Sequence, residues 1–363
     1  MSDLLFLTST ARFEAARSLS MLPEAHRGRR LHGHGFVVRI RTLFPETGGS
    51  GTEVADLRQR LSDTVAPLDY CLLNDWLPQP TDQHLAHWVW DHLQTSGIKM
   101  AGIQSTPHAG ADIDHHRHTH SWCSGTFESA HRLPHVPPGH PCGRMHGHGF
   151  KVMIHANRDL SRKDPATFDH DPLDASWQSL HRQLHGHCLN DIPGLENPTS
   201  EMIAHWIWLR LNSDLPGHSW VTVQETGSSG TMFDGTHYRI WKEFSLDSAV
   251  RRMGIPRQDP HPRIYGHTFT LRLHLTAPLD AVLGWTVDFG EVKRLFHPVF
   301  TLLDHHPLHE RADLEQTDCA SIARWIKNRT LPLLPQLDRI DLYETPGCGV
   351  ILSCRGHTPA LPV

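Results

Sequence analysis

Three histidines, His131, His146 and His148, and one cysteine, Cys142, fall within residues 127–150, FESAHRLPHVPPGHPCGRMHGHGF. His146 and His148 are two residues apart, so on a β-strand both rings point to the same face. His131 ends an apolar–polar alternation that predicts the neighbouring strand, and the Pro/Gly-rich connection between them predicts a loop. Three neutral imidazoles without a fourth protein ligand form the donor set of a catalytic zinc, which keeps one position open for water or substrate. A His-x-His pair alone is equally compatible with structural histidines, so the elements that position these side chains must decide.

The 363 residues suffice for two or three cores, at roughly 100–150 residues per domain. Hydrophobic content of 38% and charged content of 20% predict a soluble globular protein. A net charge of −5 offers no basic field for nucleic acid or anionic lipid, and Arg27–Arg30 is too short a run to change that. The N-terminal stretch MSDLLFLTSTARFE lacks a basic n-region, no segment reaches the ~20 apolar residues of a membrane span, and seven scattered cysteines suggest free thiols. These features predict a cytoplasmic protein with neither membrane nor nucleic-acid partner. The 32 histidines are the abnormal count, and only position can assign them.

Internal repetition organises the chain. LHGHGF at 31–36 recurs as MHGHGF at 145–150 and as IYGHTF at 264–269. LDYCLLND from Leu68, LHGHCLND from Leu184 and LDHHPLHE from Leu303 keep the same order, as do HLAHWVWDHL, MIAHWIWLRL and SIARWIKNRT. QST, QET and YET follow in turn, so the chain is a tandem triplication of a unit of roughly 115 residues. Each unit predicts two alternating strands, a helix (Phe289–Leu303 in the third), a second helix after a Pro-Thr-Ser-type cap, and two short strands. In the middle unit WVTVQETG and YRIW are assigned to those last strands. The fold class is α+β, three ββααββ units with helices on one sheet face. The predicted boundaries are 1–109 for unit one, 122–236 for unit two and 237–363 for unit three. The His-rich stretch 110–121, with His115, His116, His118 and His120, is expected as a solvated linker. The tryptophans of the second helix (Trp88, Trp90, Trp206, Trp208, Trp325) are expected to pack helix on sheet.

The middle unit resembles 6-carboxytetrahydropterin synthase of queuosine biosynthesis and its relative 6-pyruvoyltetrahydropterin synthase, through residues 127–150 and LNDIPGLENPTSE at 189–201. The outer units resemble the same family more faintly. The resemblance implies the tunnelling fold, in which ββααββ units join their sheets into a barrel, three units to a ring. It implies two stacked rings, here a homodimer of pseudo-trimeric chains, and sites at unit interfaces. It further implies Zn2+ on His131, His146 and His148, and Cys142 as general acid/base. An Asp-His proton relay in the LDHH motif and a glutamate anchoring the pterin ring complete the implied site, with 7,8-dihydroneopterin triphosphate as substrate. A thiol near zinc and histidine is expected to have a lowered pKa. A carboxylate beside the relay histidine would fix its tautomer, and a glutamate could accept two pterin N–H groups.

The three units match this pattern unequally. Unit two keeps the three histidines, Cys142 and Glu225, but its relay position reads His185-Gly186-His187. Unit three holds Val250, Tyr265 and His267 at the ligand positions and His261 at the cysteine position, yet keeps Asp304, His305 and Glu344. Unit one has Arg17 at the first ligand, Gly28 at the cysteine, Tyr70 at the relay histidine and Ser105 at the glutamate, although His32 and His34 remain. Units two and three have lost complementary parts. The resemblance therefore implies one composite site, with zinc and Cys142 from unit two, Asp304 and His305 from unit three, and Glu225 or Glu344 on the pterin. The competing readings are a non-catalytic zinc- or pterin-binding scaffold and an enzyme making a different product through His185 and His187.

Overall fold

The computed structural model describes residues 3–355 apart from 47–48, 50, 159–169, 216–217, 252–263 and 315. Unit one comprises β1 (Leu4–Arg17), β2 (His32–Leu43), α1 (Glu53–Val65), the short β3 (Cys71–Leu72), α2 (Asp82–His92), β4 (Ile98–Thr106) and β5 (Ala109–Ile113). Unit two comprises β6 (Thr119–His131), β7 (His146–Arg158), α3 (Asp171–Leu184), α4 (Ser200–Asp214), β8 (His218–Thr226) and β9 (Ser229–Phe233). Unit three comprises β10 (Tyr238–Arg251), β11 (Ile264–Thr276), α5 (Phe289–Phe300), α6 (Cys319–Thr330), β12 (Leu337–Thr345) and β13 (Cys348–Ser353).

Twelve of these strands form one antiparallel sheet that closes on itself, because β13 pairs β1 from Leu4↔Ser353 to Thr8↔Gly349. The seams between units are ordinary hairpins, β5–β6 (Ile113↔Thr119) and β9–β10 (Phe233↔Tyr238). Closure leaves no exposed sheet edge. Period-2 alternation then sorts side chains between two surfaces. Phe36, Val38 and Ile40 of β2 pack with Leu57, Leu61 and Val65 of α1 on the outer, helix-covered face. Arg39 and Arg41, one residue out of phase, face the lumen. The helices start where the caps predict: Thr199 accepts the Met202 N–H at 3.1 Å, and Thr81 accepts that of His84. Trp88, Trp206 and Trp325 are buried on the sheet, as expected of packing residues.

Two expectations are corrected. YRIW does not close unit two; it opens β10 and runs unbroken into FSLDSAV, while β9 supplies the fourth strand of that unit. The stretch 110–121 is not a solvated linker, since 110–113 belongs to β5 and 119–121 to β6, leaving a turn at 114–118. His120 is buried and shared between Ser219 Oγ and Asp114 Oδ2. A strand whose inner face looks into a polar lumen lacks the apolar signature of a core strand, which is why its composition reads as a linker. The predicted cut at 109 therefore falls inside a strand. No helix of the described residues is long and apolar enough to cross a membrane.

Candidate active site

His131 ends β6, and His146 and His148 begin β7, paired as His131↔His146 and Ser129↔His148. All three rings lie on the outer face, where His131 and His148 meet Phe150 edge-on, with ring centroids of 4.5 Å between His131 and His146 and 5.0 Å between His146 and His148. Backbone carbonyls fix the tautomers. His131 Nδ1 donates to Pro198 O at 2.9 Å, and His146 Nδ1 donates to Arg144 O at 2.7 Å. Each Nε2 is then left as a lone-pair donor, the usual outer support of a metal-binding histidine. His131 Nε2 is fully buried without a hydrogen-bond partner, an atom that a metal ion would satisfy. Burial lowers His131 to about 4 and also lowers His148, so both rings are neutral and ready to ligate. The donor set fits the expected Zn2+.

Cys142 lies in a tight turn, 141–143, whose start is capped by His140 Nδ1 accepting the Cys142 N–H at 3.2 Å. Burial, then the Glu225 and Asp288 carboxylates, push the Cys142 thiol up. A divalent cation on the three imidazoles would act in the opposite direction.

Unit three closes this site. Asn197 Nδ2 donates to Leu283 O at 2.8 Å, and Thr199 Oγ1 donates to Gly284 O at 2.6 Å. Glu201 Oε1 accepts the Thr286 N–H at 2.9 Å, and Asp288 Oδ2 stands 3.6 Å from His140 Nε2. Residues 283–288, just ahead of α5, thus seal the zinc end of unit two. The same joint recurs between units one and two, where His26 meets Asp171 at 2.9 Å and His170 meets Asp82 at 3.3 Å.

There an ion pair stands at the matching positions. Arg17 occupies the place of His131, donating to Pro80 O at 2.9 Å as His131 does to Pro198, and pairs with Asp82 at 2.7 Å. Ser105, in the place of Glu225, donates to the other oxygen of Asp82 at 2.6 Å. Burial raises the Asp82 pKa, but Arg17, His170 and Ser105 outweigh it and hold the carboxyl well below its usual range. In unit three Val250 is buried at the ligand position. His261 lies outside the described residues.

The profile of the family described as 6-pyruvoyl tetrahydropterin synthase matches this chain three times, over residues 6–115, 120–236 and 239–354. The chain belongs to the 6-pyruvoyl tetrahydropterin synthase family. Among curated relatives, 6-carboxy-5,6,7,8-tetrahydropterin synthase of Synechocystis sp. is 36% identical over 114 residues, 30% of this chain and 87% of that protein. Dihydroneopterin monophosphate aldolase of Pyrococcus furiosus is 33% identical over 92 residues, 24% of this chain and 77% of that protein. The solved 6-pyruvoyl tetrahydropterin synthase of Caenorhabditis elegans aligns at 17% identity with a TM-score of 0.30, covering 32% of this chain and 95% of its own. The first two family matches end at 115 and 236, inside the turns 114–118 and 234–237, and the next ones begin at the second residue of β6 and of β10.

Within this family frame, the remaining expected residues fall into two places. Glu225 joins the three histidines, its Oε1 being 3.3 Å from His148 Nε2 and 3.6 Å from His131 Nε2. Burial first, then Glu201 and Asp288, raise it to about 7, against the pull of Lys242. Glu344 repeats that placement in unit three, 3.8 Å from His267. Asp304 and His305 form a second cluster with Asp247. Asp304 Oδ2 binds His305 Nδ1 at 2.9 Å, and Asp304 Oδ1 accepts the Asp247 N–H at 3.0 Å. His305 has φ 55°, and its counterparts Tyr70 and Gly186 share that left-handed turn, which is costly for a branched or ring-bearing side chain. Among the described residues no hydrogen bond or ion pair joins Asp304 or His305 to Cys142 or the zinc histidines. Sequence reading missed Glu201, Thr286 and Asp288. Glu201 is discernible beforehand only as a capping-box residue, and the other two belong to a different unit.

Proposed function

We propose that this chain is a zinc-dependent lyase of the 6-carboxytetrahydropterin synthase type acting on 7,8-dihydroneopterin triphosphate. One working site per chain sits at the seam of units two and three. The observation that carries this reading is the convergence of three outward imidazoles, one of them with a buried orphan Nε2, beside Cys142 under a segment of unit three. Zinc there would supply Lewis-acid polarisation of the substrate's side-chain oxygens. Cys142 moves a proton at the carbon next to them, and Glu225, whose Oε1 lies 3.3 Å from His148 Nε2, exchanges one beside it. Glu225 or Glu344 could instead hold the pterin ring, the role implied by resemblance, and Glu201 adds a buried carboxylate beside Glu225. Seven free cysteines are consistent with a reducing, cytoplasmic setting.

Asp304 and His305 serve as the relay. The pair is suited to it: Asp304 orients the ring, and its bond raises the His305 pKa above the ordinary value while the side chain is open to solvent. Leu31, Met145 and Ile264, the equivalent first residues of the three HGHGF-type motifs, are all exposed at the hairpin ends, beside exposed Tyr70 and Tyr265. This apolar rim suits a second ring, and we place the relay across it, so that Cys142 of one chain works with Asp304–His305 of the other. Cys142→Ala and His305→Ala should each abolish triphosphate release. Mixing the two inactive variants should restore about a quarter of wild-type activity if random dimers form. Full activity in His305→Ala would overturn the composite site, and a mixture that stays dead while each variant dimerises would return the relay to within one chain.

A further inference from the structure

The barrel lumen carries a layer that the proposed chemistry does not use. Arg41, His155 and His274 stand at equivalent positions of the three second strands, β2, β7 and β11, and are buried to 1%, 0% and 4% exposure. They form a pseudo-threefold ring of nitrogen-bearing side chains across the tunnel. Their charge balance is uneven. Arg39 is paired with Asp112 at 2.9 Å, Arg272 with Glu243 at 2.6 Å, Arg239 with Asp338 at 2.7 Å, and Arg339 with Asp341 at 2.5 Å. His274 is held by Asp341 at 3.0 Å. Arg41 is the exception, because its Nε, Nη1 and Nη2 are all buried without a partner, and both ring nitrogens of His155 are equally unmet.

A guanidinium carries five N–H donors and keeps its charge at neutral pH. Burial, then the nearby Arg339, lowers the Arg41 pKa to about 10, which still leaves it cationic. A fully buried, unpaired charge is among the costliest arrangements a fold can hold, and it persists where something compensates it. The space for a compensating group exists. Arg41 lines a lumen cavity of ≈ 320 Å³ together with Arg39 and Arg272, while the hydroxyls of Thr8, Thr10 and Tyr343 in its wall donate to Gly347 O, Pro346 O and Asp341. The carboxylates that share it, Asp112 and Glu243, are engaged by Arg39 and Arg272.

We propose that the tunnel binds a small inorganic anion, of the halide or phosphate class, at Arg41, with support from the N–H groups of Arg39 and Arg272 in the cavity wall. The site is separate from the zinc cluster, since Arg41 faces the lumen whereas the histidines lie under the helices. Its wall comes from unit one and unit three, whose strands meet at the β1–β13 closure.

Bromide and inorganic phosphate are the probes. Crystals of the full chain soaked in bromide should show an anomalous peak within hydrogen-bond distance of the Arg41 guanidinium. In solution, the melting temperature should rise with added bromide or phosphate at constant ionic strength, set with a large, poorly coordinating anion. Arg41→Met should lose that rise. Only water beside Arg41 in the soaked crystals, or an identical anion response in wild type and Arg41→Met, would overturn the proposal. If Arg41→Met does not fold, the bromide peak in the wild-type chain decides, and Arg41→Lys serves as the folded comparison with weakened anion response.

Discussion

The buried Arg17–Asp82 pair of unit one offers the sharpest quantitative test. Arg17 and Asp82 have 4% and 0% exposed side chains and approach to 2.7 Å. At an effective dielectric of about 20 their attraction is roughly 6 kcal/mol, most of it offset by desolvation. Truncating one partner leaves the other charge buried, which typically costs about 3–5 kcal/mol. Asp82 would retain Ser105 and His170, so Arg17→Met is expected near the lower end, about 3 kcal/mol. With an unfolding entropy of roughly 2.1 cal/mol/K per residue over the whole chain, that is a fall of about 4 °C in Tm. Arg17→Met combined with Asp82→Asn removes both charges and should recover to within about 1 kcal/mol of wild type. The measurement is urea unfolding of the two single variants and the double variant, closed as a cycle. The sign of the pH dependence is set by Asp82, whose folded pKa is depressed. Its contribution is present above the unfolded carboxylate value near 3.8 and is lost as pH falls below it, so the gap between wild type and Arg17→Met should shrink in acid. A loss under about 1 kcal/mol for Arg17→Met, or a double variant as unstable as the sum of the singles, would refute the buried-pair reading.

Two further expectations concern metal and pH. Zinc analysis by plasma mass spectrometry should return about one tightly held equivalent per chain, lost in His131→Gln and unaffected by His32→Gln, because unit one has Arg17 in place of its first ligand. Retention of zinc by His131→Gln would remove the proposed site. In the lumen, burial, Arg339 and Arg239 lower His274 to about 4 against the pull of Asp341, and burial lowers His155 well below its ordinary value. Both rings are neutral when folded, so the unfolded chain takes up more protons between about 6.5 and 4, and stability should decline as pH falls through that window. Urea midpoints at pH 7 and pH 5, compared with those of His274→Gln, check this; a variant with an undiminished decline would shift the cause elsewhere.

The cluster of His131, His146 and His148 was legible because its signal is local. His146 and His148 share a face by the two-residue period of a strand, and His131 is brought opposite by one hairpin. The triplication, the ββααββ order and the membership of the family follow from motif spelling repeated along the chain. The loss of ligands in units one and three was equally readable as residue identity.

What only the tertiary structure decided arises where distant segments meet. Closure of β13 on β1 created a polar lumen, and with it the burial of Arg41, His155 and His120 that made a strand resemble a linker. The seam brought Thr286 and Asp288 to Glu201 and His140 across about 85 to 150 residues of chain. Among the described residues no hydrogen bond or ion pair joins Cys142 to Asp304–His305, which sequence complementarity puts in one site. Spacing along the chain determines which side chains share a face of one element. Which elements share a cavity depends on strand tilt and ring closure, and these are properties of all twelve strands together.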